Sequence, residues 1–314
     1  MEHNDKVKQL NIKSDMKISE LMEEFSSSGV LGSGRIGRAS KLLSSMIKDD
    51  DMQLFMSVAG PMVPGGLRNI ICDMIKRKHI RVLITSGANL THDLLESFGG
   101  RHYRDMGRDD EKLNDAGIGR IADVYTKSSD FEVFESEINK IFEIIGEKYN
   151  NPTDNGVISI EKLLYEIGML LDDENSILYQ AARNNVSIFS PGLIDSMIGL
   201  QLWMFTQDHN LIVNAVGDMH HLSDIVFEKE KVGALMLGGG LPKHYTLACN
   251  LLKGGVDAGV QITMDRPETG SLSGAPLEEA ISWSKAKHES NLVSVVGDVT
   301  IIFPMIYGSV LDTL

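Results

Sequence analysis

The chain has 314 residues, 42% hydrophobic and 24% charged, enough for a large core in one big α/β domain or two small ones. Its formal net charge of -14 argues against a nucleic-acid partner and is compatible with cationic substrates. The two cysteines, Cys72 and Cys249, suggest neither a disulfide framework nor a zinc set, which predicts a reducing cytoplasm; no apolar run approaches a membrane span, and the polar start MEHNDKVKQL predicts no signal peptide.

Residues 1–15 are polar and read as an arm. Ile18, Leu21, Met22 and Phe25 recur at helical spacing and predict an amphipathic helix. In GVLGSGRIG, residues Gly32, Gly34 and Gly37 have the spacing of the dinucleotide fingerprint GxGxxG. That fingerprint needs a strand before it and a helix after it, and here a helix precedes it, so the stretch is read as a flexible turn rather than a cofactor site. A second helix is expected from Ile36 to Ile47, making residues 1–50 an arm and helical extension.

From residue 52 short β-rich apolar runs alternate with helical patterns, which predicts an α/β fold with a mostly parallel sheet and crossover helices over 51–314. The expected strands are 53–60, 81–87, 186–190, 233–239, 258–264 and 292–298, with 211–216 as a further one. Nearly every run ends in small or polar residues, and the carboxyl ends of strands form the ligand crevice of open α/β sheets. The residues at these ends suit a nucleotide site, or equally ordinary tight turns. The stretch 100–180 is less regular: Arg101 to Asp115 is rich in charge and turn formers, and helices are expected over 131–149 and 158–171.

Asp208, His209, Asp218, His220 and His221 match no standard metal-ligand spacing, so no metal is expected. His244 follows the triple glycine Gly238–Gly240 and Pro242, which places it in the first turn of a helix at the crevice, as a hydrogen-bonding or acid–base group or simply as part of a helix start. In GSLSGAPLEEAISWSK (270–285), a glycine- and serine-rich turn leads into a helix start at Pro276, Glu278 and Glu279. Lys285, beside Trp283, reads either as a solvated surface lysine or as an imine-forming amine nucleophile. In one straight helix Glu279 and Trp283 share a face and Lys285 points elsewhere.

FSPGLIDSMIG (189–199), LGGGLPKH (237–244), GSLSGAPLEEAISWSK (270–285), VVGDVTIIFP (295–304) and LMEEFSSSGVLGSGRIGRA (21–39) together resemble the deoxyhypusine synthase family over nearly the whole chain. The resemblance implies a Rossmann-like, doubly wound subunit with helices on both faces, assembled as a homotetramer with active sites at a dimer interface. It implies an NAD-dependent aminobutyl transfer from spermidine, through an imine on an enzyme lysine, to a lysine of the hypusine-containing translation factor precursor. Carried onto this chain, Lys285 forms the imine, and Glu279, Trp283 and His244 line the amine pocket with Gly270, Ser271, Ser273 and Gly274. NAD contacts fall on Ser57, Val58, Ala59, Gly60, Pro61, Thr85, Ser86, Gly87, Asp195, Gly238, Thr263, Met264, Asp298 and Val299.

The chain departs from the family pattern at Leu200 and Leu272, where the family has aspartates, at Thr91-His92 in place of a glutamate pair, and at Ala248 in place of an asparagine. Each lost charge-assisted hydrogen bond to a triamine is worth roughly 1.5–3 kcal/mol, unless Asp265, Glu268 or Glu278 compensates. The departures leave a paralogous polyamine synthase, joining small amines such as putrescine or agmatine by the same chemistry, as the second expectation. A non-catalytic NAD-binding scaffold is the third, opposed by Glu279, Trp283 and Lys285.

Overall fold

The computed structural model describes residues 6–314; the first five residues of the expected arm lie outside the described residues. Two compact units divide the chain, one made of the residues up to Val58 together with Ser223–Leu314, the other of Ala59–Leu222.

In the first unit four strands run parallel in the order Ala286–Val296, Val256–Thr263, Lys231–Leu237, Met52–Val58. Met52 pairs with Lys231 and Val58 with Leu237, Gly233 with Ala258, and Thr263 with Val296. Nearly every residue of the last three of these runs is buried, because such a sheet is covered on both faces and leaves no side for polar alternation. The covering helices can be told from side-chain direction. A Cβ at Gly233 would meet Met52, Leu54 and, from the helix Leu31–Lys48, Met46. Gln53, between Met52 and Leu54, points the other way and donates through Nε2 to the carbonyls of Ile225 (2.8 Å) and Val226 (3.0 Å), which end the helix Asp218–Val226. Successive strand residues face opposite sides, so helices lie on both. This is the Rossmann-like α/β arrangement expected from the alternating pattern.

The helices Ile18–Ser28 and Leu31–Lys48 pack on each other and on Val299–Leu311, where Ser40 Oγ donates to Ser309 Oγ at 3.0 Å. The glycine-rich stretch is therefore not a turn. Gly32, Gly34 and Gly37 all lie inside the second helix, and the link between the helices is Gly29 and Val30, with left-handed φ at Gly29 (72°) and at Leu31 (51°). A Cβ on Gly34 would lie 2.4 Å from the Gly29 carbonyl carbon, and one on Gly37 2.3 Å from the Ser26 nitrogen. Backbone-to-backbone approach of two helices explains these glycines. Gly37→Ala is accordingly expected to destabilise by about 1–3 kcal/mol in urea unfolding, as overpacking does, although alanine gains about 1 kcal/mol of helix propensity. Gly32, with nothing within 4 Å of its Cβ position, is the control: Gly32→Ala should be neutral or stabilising. Equal effects at the two positions would contradict the close approach.

In the second unit Val82–Thr85 pairs parallel with Ser187–Phe189, and Val157–Ser159 with Ile212–Asn214. The helices Arg68–Lys76, Gly87–Ser97, Ser128–Tyr149, Ile160–Leu170, Ile177–Asn184 and Met197–Phe205 belong to this unit. The irregular middle holds an antiparallel sheet of Tyr103–Arg104, Val124–Lys127 and Ile118–Ile121, with a short helix Asp110–Asp115. All seven expected strands are present, the last beginning at Ala286 rather than 292.

Candidate active-site cavity

Parallel pairing places the carboxyl ends of the first unit's strands along one edge. The chain from Gly238 to Gly240 leaves the strand Lys231–Leu237 in conformations open to glycine, with φ 80° at Gly238 and 57° at Gly240. At Gly239 a Cβ would lie 2.4 Å from the Ser273 Cα, so the triple glycine lets the loop at Ser273 lie directly on the backbone. The Gly240 amide donates to Ser273 Oγ at 2.7 Å, and Gln261 Nε2 donates to the carbonyls of Gly238 (3.0 Å) and Ser273 (2.8 Å).

The helix Gly240–Cys249 begins there and brings Lys243 and His244 to a cavity of about 440 Å³. The loop from Pro267 to Lys285 closes its other side with Gly270, Ser271, Leu272, Glu279, Trp283 and Lys285. The helix start expected at Pro276 does not continue as one straight helix to Lys285. Only Glu279–Ser282 is helical, and it ends with Ser284 left-handed at φ 55°. The Lys285 amide donates to the Ala280 carbonyl (2.9 Å) and the Ser284 amide to Ile281 (3.0 Å), the paired bonds of a Schellman ending, here with serine where glycine is usual. This reversal, rather than a helix face, carries Lys285 into the cavity with Glu279. Its Nζ lies 5.8 Å from the centre of the Trp283 ring, within cation–π range. Ser273 is not among the cavity residues, being turned to Gly240, and Gly274 is packed where a Cβ would meet the Arg266 carbonyl oxygen at 2.1 Å.

Among the cavity residues without an expected role, Lys243 is the titratable one. Lys243 is 1% exposed and donates through Nζ to the carbonyls of Leu272 (2.8 Å) and Ala275 (2.7 Å). Burial pushes its ammonium down to about 8, against the pull of the Glu279 carboxylate. In the sequence its only trace was a lysine amid a glycine-proline helix start, which nothing local marks as buried.

Of the residues assigned to NAD, Ser57 and Val58 end the strand Met52–Val58, Thr263 ends Val256–Thr263 with Met264 exposed beyond it, and Asp298 caps the helix that starts at Val299. Asp298 Oδ1 accepts from the Thr300 amide at 2.7 Å and hydroxyl at 2.8 Å. In the second unit Ala59, Gly60 (φ 84°) and Pro61 form a turn, Thr85 ends its strand, Ser86 caps the helix Gly87–Ser97 by accepting from Asn89, and Asp195 is exposed before the helix Met197–Phe205.

Among the departures, Leu272 lines the cavity, Leu200 is 44% exposed, and Thr91 Oγ1 is satisfied by the Gly87 carbonyl at 3.0 Å. His92 Nδ1 faces His102 Nε2 at 2.9 Å, and His102 Nδ1 lies 2.6 Å from Glu96 Oε1. Burial, then His102, pushes the His92 imidazole down to about 4. No cluster of three or more possible metal ligands occurs among the described residues; Asp218 is buried and accepts from the Glu161 amide at 2.8 Å, and His209 stacks on Phe205. Among the described residues no helix is long and apolar enough to cross a membrane.

A sequence profile described as deoxyhypusine synthase matches residues 20–310. A Methanothermobacter thermautotrophicus protein named "Probable deoxyhypusine synthase" is 62% identical over 308 residues, covering 98% of each chain. One of the same name from Methanopyrus kandleri is 42% identical over 300 residues, covering 96% of each. In fold, the chain is similar to a crystal structure assigned as a deoxyhypusine synthase from Entamoeba histolytica, with TM-score 0.69, 18% identity and coverage of 98% of this chain and 97% of that one.

Proposed function

Because the chain belongs to the deoxyhypusine synthase family, and so to a family of transferases, we propose that it transfers the aminobutyl group of spermidine, through an imine on Lys285, to a lysine of the hypusine-containing translation factor precursor. The observation that carries this reading is the cavity that Lys285 shares with His244, Glu279 and Trp283. A lysine amine beside an indole, a carboxylate to hold an ammonium and an imidazole to move a proton are the groups that amine oxidation and imine exchange require. Glu279 holds the charged end of the amine, Trp283 covers its methylenes, and Gly270, Ser271, Ser273 and Gly274 shape the loop against it.

NAD, when bound, supplies the hydride acceptor for oxidising the amine. In the first unit the strand-end residues fit it: Gly238 leaves backbone bare, Ser57 and Thr263 offer hydroxyls, and Asp298 offers a carboxylate of the kind that accepts ribose hydroxyls; in the second unit, taken by itself, Thr85 and Asp195 offer the same groups. We further propose that residues 51–314 act as one NAD-binding catalytic domain with 1–50 as its extension, in a cytoplasmic homotetramer.

One observation favours a second reading. Among the described residues Glu279 is the only carboxylate lining the cavity, and Leu272 presents a hydrocarbon face there. A paralogous synthase that joins small amines such as putrescine or agmatine needs fewer anchoring charges, and a guanidinium is less strongly hydrated than an ammonium. Incubation with NAD and spermidine, putrescine or agmatine, with and without the factor precursor, separates the two by mass spectrometry. The first reading expects an aminobutyl-lysine on the precursor with spermidine alone as donor. Condensed small amines with an unmodified precursor would replace it by the second.

A further inference from the structure

Lys243 is the second lysine of the cavity, and the chemistry assigned so far leaves it without a task. Its two hydrogen bonds go to backbone carbonyls, Leu272 at 2.8 Å and Ala275 at 2.7 Å. An ammonium has three hydrogens and a neutral amine has two. Both carbonyl bonds therefore survive deprotonation, and the lone pair then takes the place of the third hydrogen. The anchoring carbonyls belong to the loop that lines the cavity, so the group that exchanges the proton is held fixed in either state. Among the described residues, the other titratable groups on the cavity wall are His244, Glu279 and Lys285.

We propose that Lys243 is a further catalytic residue, the group that moves a proton between the two nitrogens of the adduct formed at Lys285. This rests on the imine reading above. The Lys285 amine donates its electron pair to the iminium carbon of the oxidised donor, and the C=N pair withdraws onto the donor nitrogen. Lys243, as a neutral amine, takes one proton from the now positive Lys285 nitrogen and delivers it to the donor nitrogen. The bond from carbon to that nitrogen breaks with its pair going to the departing amine, and the Lys285 nitrogen closes the new C=N bond. Atoms, charge and electrons balance, Lys243 ends as it began, and no further oxidant enters. Burial brings Lys243 to half-neutral at about pH 8, against Glu279, so the required form is populated under ordinary conditions.

The test is single-turnover borohydride trapping at Lys285 with NAD and spermidine, followed against pH. In the wild-type protein the trapping rate should rise through a midpoint near 8. Lys243→Arg stays protonated and should trap about 100-fold more slowly with that rise gone. Lys243→Ala should be similarly slow and recover with added ethylamine, its pH profile now following ethylamine. Persistence of the rise near pH 8 in either variant without ethylamine overturns the assignment. So does a wild-type profile with no rise between about pH 7 and pH 9, whether or not the variants fold. If the wild-type protein gives no label at Lys285 with any amine, the imine reading falls and this one with it; a label with an unchanged profile in the variants overturns this one alone.

Discussion

Lys285→Arg is expected to keep NAD binding and lose transfer by on the order of 10⁴-fold, the scale on which removal of a covalent group acts. Arginine preserves the positive charge over Trp283, yet its guanidinium stays protonated and cannot attack an iminium carbon. Reductive trapping during turnover should label the peptide holding Lys285, and the label should vanish in the variant. NAD affinity, read by fluorescence or calorimetry, should change little, because the strand ends assigned to NAD do not include Lys285. Label on Lys243 or Lys287, or normal turnover by the arginine variant, would overturn the mechanism while leaving the fold untouched.

The second large effect is expected far from any chemistry. Asp93 is fully buried, and its carboxylate accepts from Arg68 Nε (2.7 Å), Ser176 Oγ (2.8 Å) and the amides of Ile177 (3.0 Å) and Leu178 (3.1 Å). It is both the counterion of a buried guanidinium and a cap for the helix Ile177–Asn184. Asp93→Ala should cost about 3–5 kcal/mol in urea unfolding, because Arg68 Nε, Ser176 Oγ and the two helix amides lose their buried acceptor together, while Asp173 at 2.7 Å still pairs the guanidinium. A loss under about 1 kcal/mol would mean that water replaces the carboxylate. Around the same arginine, burial raises the Asp173 and Glu96 carboxyls, but the Asn175 amide and Arg68 for the former, and His102 and Arg68 for the latter, hold both below their ordinary values. Groups depressed in the folded state contribute stability that is present above their unfolded pKa near 4 and lost as pH falls through the folded one. An acid limb of unfolding below about pH 4 should therefore shrink in Asp173→Asn.

Much of the fold was readable because buried parallel strands are unbroken apolar runs ending in small residues, as in QLFMSVAG and GALMLGG. The glycines at 32–37 misled because glycine usually marks a turn, whereas two helices in contact also demand it, and only the partner backbone at Ser26 and Gly29 distinguishes the cases. The antiparallel strands at 103–127 are only two to four residues long and rich in charge, too short for a period to emerge. At the cavity, residue types were legible and their convergence was not. Lys285 joins Glu279 at the cavity through the left-handed Ser284, a conformation that serine seldom adopts. Lys243 is buried by carbonyls of a loop some thirty positions away, which no local spacing reveals.

The division of the chain also bears on synthesis. The second unit is one continuous stretch, Ala59–Leu222, while the first is interrupted: the strand Met52–Val58 meets its partner Lys231–Leu237 only after the whole second unit has been made. At about 5–20 residues per second that interval lasts on the order of ten seconds on the ribosome. Throughout it, a strand rich in methionine, leucine, phenylalanine and valine has emerged without the neighbour that pairs with it at 231–237. Nascent chains stalled between these two strands should thus be the stage most dependent on chaperones, and the one at which aggregation competes best with folding.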